Sequence, residues 1–110
     1  AFPDVDVRGP ANDARRMVAD ALAAYATDDA DACWAIAERD DDLDAGCKSA
    51  GEAVVTGLIG AEAGADPDAL VAEASRLLLA LRDVECVGDH AVNVAARTLY
   101  MVDHDDSLLF

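Results

Sequence analysis

Lysine is almost missing from this 110-residue chain: Lys48 stands alone, and the other basic residues are arginines. With 23 acidic residues against 8 basic ones, the formal net charge is −15. A segment so anionic is repelled by phosphate backbones, which argues against nucleic acid as a direct ligand. Aromatic residues make up only 5%, so large rings cannot build the interior. Cysteine is scarce as well. Cys33, Cys47 and Cys86 are odd in number and lack CxxC spacing, which leaves zinc-finger and thioredoxin-type chemistry without support. Each is expected to pack as a small apolar residue in a reducing compartment. No apolar run approaches the roughly 20 residues that span a bilayer, so no membrane insertion is expected. The N-terminus lacks the basic, apolar, small-residue order of a secretory signal. It begins with alanine rather than methionine, which suggests a trimmed or excised domain.

What is present is a 54% apolar composition rich in alanine. That suffices for one domain of ordinary size, with a thin core whose helices must approach closely to fill it. The acids are mostly aspartate, 18 of the 23, and they are spread along the whole chain. Dispersed acid with lysine almost absent suits a protein that stays soluble in concentrated salt, and a halophilic cytoplasm is the expected setting.

The spacing predicts three helices and no strand. Residues 1–11 read as an extended lead-in, because two prolines and a glycine fall within Ala1–Pro10. Asn12 is the expected N-cap of a helix to about Ala26, with Met17, Ala21, Leu22, Ala24 and Tyr25 on its apolar side. The Thr27-Asp28-Asp29 cluster ends it and caps the next. Helix two is expected from Ala30 to about Ile59, with Ile36, Leu43, Cys47, Ala50, Val54 and Leu58 as its seam. Asp66 and Pro67 form a cap and first-turn proline for a third helix running to about Val102. Leu78, Leu81, Val92 and Leu99 form its stripe. Residues 104–110 make a tail that is expected to lie back on the bundle. The expected fold is an all-α, antiparallel three-helix bundle over residues 12–103.

Two acidic pairs stand out. Glu85 and Asp89, like Asp40 and Asp44, are four apart and so lie one above the other on a helix. Asp40 falls inside the helix-two seam, and Glu85 and Asp89 are framed by the helix-three stripe. Facing pairs would repel one another, and partial burial would add to that cost. A bound cation offsets both, and an all-carboxylate set suits hard cations such as magnesium, manganese or iron. Asp40, Asp44, Glu85 and Asp89 are therefore the candidate metal ligands, against the plain reading of a solvated acidic face. Asp41 and Asp42 point around the helix as surface charge. His90 is turned about 100° from Asp89 and reads as a hydrogen-bonding packing residue, while Asn93 fits equally a carboxylate partner or a helix contact. Trp34 reads as core or interface. Catalysis is not expected: Glu-x-x-His pairs are absent, since Val87 stands three before His90. The serines lack a His/Asp constellation, and no glycine-rich phosphate loop follows a strand.

The run from Glu85 through Asp89-His90-Ala91 to Asn93, followed by small residues up to Arg97, resembles the signature of the PhoU phosphate-uptake regulator family. Glu38-Arg39-Asp40-Asp41-Asp42-Leu43-Asp44 is similar to that family's other acidic motif. The order of a short helix, a longer acidic helix, a loop and a long helix agrees over roughly Asn12–Val102. Family members usually carry two such three-helix repeats, and one is visible here. The resemblance implies a cytoplasmic regulator restraining high-affinity phosphate import, with the ATPase of the phosphate transporter and, in bacteria, a sensor kinase as partners. It also implies metal clusters on the acidic motifs, iron and zinc among them, and either a homo-oligomer or a second repeat. The competing expectation is a structural oligomerisation bundle whose acids serve salt tolerance alone.

Overall fold

The computed structural model describes residues 2–109. Three helices, α1 (Arg8–Thr27), α2 (Ala30–Ile59) and α3 (Pro67–Asp103), run up, down and up. Among the described residues there is no strand. The rod measures 59 × 20 × 17 Å, its length set by the 37 residues of α3, about 56 Å at 1.5 Å per residue.

Local chemistry sets the helix ends. Asp28 turns into the left-handed region at φ 54° and its N–H returns to the Ala24 carbonyl. Asp29 then caps α2, its carboxylate accepting from the Ala32 N–H at 3.1 Å. Asp66 does the same for α3 through the Asp68 N–H at 3.1 Å, ahead of Pro67. These are the junctions expected from sequence.

Helix α1 departs from expectation, starting at Arg8 rather than after Asn12. The Asp6 carboxylate accepts from the Gly9 N–H at 3.0 Å and closes the first turn. Pro10 sits inside that turn, where the first four N–H groups have no helical partner to lose. The preceding residues are not a free strap either: Phe2 is buried with Val54 and Ala74, and Leu58, Leu70 and Leu77 pack around them.

The main core joins Met17, Ala21 and Ala24 of α1 with Cys33, Ile36, Leu43 and Cys47 of α2 and Leu81, Ala91, Ala95 and Leu99 of α3. Several residues expected inside are instead wet. Leu22, Tyr25 and Leu78 are exposed, as is Cys86; Trp34, expected in the core or at an interface, lies at the surface. Three helices leave much of each circumference uncovered, so an apolar stripe wider than the contact spills into solvent. In the tail, Leu108 packs against the core, while the apolar end at Phe110 lies outside the described residues.

Candidate functional site

Helices α2 and α3 run antiparallel with a register set by small residues. Gly88 is buried and backs onto Leu43 and Asp40; a Cβ there would lie 3.2 Å from the Asp40 Oδ1 and closer still to a Leu43 methyl. Glycine is required here because the two helices touch, not because the backbone is strained. Ten residues back along α3, Leu78 lies against Gly51 of α2, where an added Cβ would sit in ordinary contact at 3.8 Å from its Cδ2.

That register brings the two acidic pairs to one level. Asp40 lies against Gly88 at the α2–α3 contact, near enough to Asp89 and Glu85 to feel their charge, and Asp44 feels Asp89 in turn. Asp40 and Glu85 are partly buried, Asp44 and Asp89 exposed. Burial pushes the Asp40 carboxyl up to about 6, and the charges of Asp44, Asp89, Asp41 and Glu85 push the same way. Asp44 is raised as well, by loss of water and then by Asp89 and Asp41. Beneath them, burial raises the Cys47 thiol, helped by Glu85 and Asp44. Asp40 Oδ1 is the one buried side-chain oxygen or nitrogen without a hydrogen-bond partner among the described residues.

No ion pair neutralises the group among the described residues. The one ion pair among the described residues joins Arg39 to Asp20 on α1 and includes none of the four. An orphaned, desolvated carboxylate oxygen among three further carboxylates is the electrostatic setting a hard cation relieves, and the oxygen donors fit that class. In the conformation seen, no three His, Cys, Asp or Glu side chains among the described residues converge on one point. Holding an ion would need the exposed Asp44 and Asp89 side chains to swing inward. Asp41 and Asp42 are exposed, as expected for surface charge. His90 is exposed rather than packed, and Asn93 is exposed one turn beyond Asp89.

Elsewhere the described residues line further open cavities, among them two that are predominantly apolar. One of about 720 Å³ is roofed by Phe2, Pro3 and Val5 over Ala53, Gly57 and Leu70. The other, about 530 Å³, is an apolar groove between α1 and α3 lined by Ala14, Val18, Leu22, Val84 and Val87. Sequence reading missed both, since each depends on how neighbouring helices diverge. No helix is long and apolar enough to cross a membrane among the described residues.

Comparison with known proteins agrees with this architecture. Two proteins named phosphate-specific transport system accessory protein PhoU homolog, from Pseudomonas aeruginosa and Pseudomonas putida, are each 34% identical to this chain over 102 residues. The matched stretch is 93% of this chain but 40% and 38% of those proteins, so the chain spans about two fifths of their length. No solved structure gives a significant match. The PhoU domain family model covers residues 9–98, which include most of α1, all of α2, most of α3 and both acidic pairs, and the chain belongs to the PhoU domain family.

Proposed function

We propose that this bundle is a metal-binding regulatory domain of a phosphate transport system and that it acts through protein contact rather than catalysis. The observation that carries the metal role is Asp40, whose buried Oδ1 has no partner while Asp44, Asp89 and Glu85 crowd it with like charge. Asp40, Asp44, Glu85 and Asp89 would hold the ion, and the carboxylate set favours iron, manganese or magnesium, with zinc as a further candidate. When bound, the ion supplies charge neutralisation and ties α2 to α3. The names of the Pseudomonas relatives support a place beside a phosphate transporter. Its ATPase is the first partner to test, then a sensor kinase, in a halophilic cytoplasm.

The test is metal content by elemental mass spectrometry on protein dialysed in high salt without chelator, beside a Glu85→Gln/Asp89→Asn variant. Near-stoichiometric metal in the wild type, lost in the variant, is the expected result. Equal and negligible metal in both would reduce the quartet to an acidic helix face. A second reading, a bundle that oligomerises without metal, draws on the apolar α1–α3 groove with exposed Leu22 and Val87 at its edge. Sedimentation that shows self-association unchanged by chelator, in a protein without metal, would favour it.

A further inference from the structure

We infer that the outer face of the α2–α3 furrow is a docking surface for an amphipathic helix of another protein, apolar along one half and rich in lysine or arginine along the other. The inference rests on the proposal that the domain works by protein contact, and it does not depend on the metal. It starts from the register already described, with Leu43 beside Gly88 and Gly51 beside Leu78, and with Val54 and Ala74 in one cluster flanked by Leu58 and Leu70. Continuing it puts Lys48 level with Arg82, and Val55 and Ile59 level with the turn around Val71. At about 100° per residue Arg82, Leu78 and Val71 share one face of α3 with its acidic pair, whereas on α2 Lys48, Val55 and Ile59 turn about 60–100° from Asp40 toward the solvent side of the furrow.

The furrow is therefore graded along its length. At one end lie Asp40, Asp44, Glu85 and Asp89. One turn on are Lys48 and Arg82, both exposed and neither in an ion pair among the described residues. Beyond them Val55, Ile59, Val71 and Leu78 are exposed, Ile59 to 82%. From Asp40 to Ile59 the face runs about 29 Å at 1.5 Å per residue, the length of a partner helix of roughly 20 residues.

Charge complementarity selects the occupant. A second copy docked in parallel would set carboxylates on carboxylates; turned round, it would set them on Val55 and Ile59. An anionic membrane would bring lipid phosphates against four acids. A helix with apolar anchors at one end and cations at the other satisfies both halves, and the Lys48–Arg82 level between them accepts an acidic side chain.

The probe is a fluorescein-labelled synthetic 20-residue helix, with leucines on one face over half its length and lysines on that face over the other half. One control has the same residues shuffled so that leucine and lysine alternate along the face; because its charge is identical, it removes general attraction to an acidic protein. A second control carries glutamate for lysine. Anisotropy is read in chelator, for the wild type and for Ile59→Asp and Leu78→Ser, whose circular dichroism must match it. The segregated peptide should bind the wild type about tenfold or more tightly than the shuffled one and lose about as much on Ile59→Asp, while the glutamate peptide should not bind. Equal affinity for the segregated and shuffled peptides, or indifference to Ile59→Asp, would overturn the proposal. So would wild-type dimerisation abolished by Ile59→Asp, or preferential binding to phosphatidylglycerol vesicles. Metal lost in the Glu85→Gln/Asp89→Asn variant alongside no peptide selectivity would remove this surface and leave the metal site standing; selective peptide binding without metal would do the reverse.

Discussion

Replacing Asp40 with asparagine should stabilise the metal-free protein at neutral pH, although it changes a residue at the centre of the candidate site. In the folded chain the Asp40 carboxyl is pushed from 3.8 up to about 6, by burial first and then by neighbouring carboxylates. A carboxyl that holds its proton more tightly folded than unfolded favours the folded state at low pH. That stability is lost as pH rises from about 4 to about 6, and the penalty is complete above it. At about 1.36 kcal/mol per pH unit the ceiling is roughly 3 kcal/mol, and solvent screening of a partly exposed group lowers it to about 1–2 kcal/mol. Asparagine keeps the shape and removes the charge. In chelator at pH 7.5 the Asp40→Asn protein should melt about 4–8 °C above the wild type, and at pH 4 the two should coincide. Added manganese should reverse the order, since ligand at a hundred times its Kd stabilises the wild type by about 2.7 kcal/mol. The assay is thermal denaturation by circular dichroism across that pH range. A variant that is less stable in chelator at pH 7.5, or a difference that ignores pH, would refute the electrostatic account.

Three further outcomes follow from the packing. Gly88→Ala inserts a Cβ against Leu43 and Asp40; overpacking of about 1–3 kcal/mol is set against roughly 1 kcal/mol of helix propensity gained, so melts should show a net loss of up to about 2 kcal/mol that Leu43→Ala partly relieves. Leu99→Ala empties a fully buried position between the three helices and should cost about 2–5 kcal/mol in urea unfolding, against which a cost under 1 kcal/mol would contradict the core described. Of the three free thiols, Cys86 is exposed while Cys33 and Cys47 are buried, so a maleimide should label one site quickly in the native protein and three after denaturation. Mass spectrometry of the peptides identifies which.

Much of this was legible in the sequence because helix ends and helix faces leave local marks. Asp29 and Asp66-Pro67 are caps whose chemistry acts within three residues, and both junctions fall where those residues put them. Asp40 sits in an apolar seam at helical spacing, and that alone marks its partial burial. The start of α1 was hidden because Gly9 and Pro10 are breakers in most settings; only a carboxylate at Asp6, three residues upstream, makes them a first turn. Leu22, Tyr25 and Leu78 were placed inside because periodicity tells which residues share a stripe and not how wide a strip the neighbours cover. The furrow as a unit was illegible for a different reason. Lys48, Arg82, Val55 and Ile59 become one surface only once the register of α2 against α3 is known.

That register also explains why the acidic quartet is tolerable at all. Carboxylates on surface loops relax apart, whereas these are carried on two rods whose separation is fixed by Gly88 against Leu43 and by a core of alanine, leucine and cysteine on the other side of the contact. The packing free energy of that core holds the helices together against repulsion that acts only at its outer edge. A cation at the edge would then act on a preformed spacing rather than create one, needing only the exposed Asp44 and Asp89 side chains to rotate toward Asp40 and Glu85. It follows that ion binding should change local order at the quartet far more than it changes helix content.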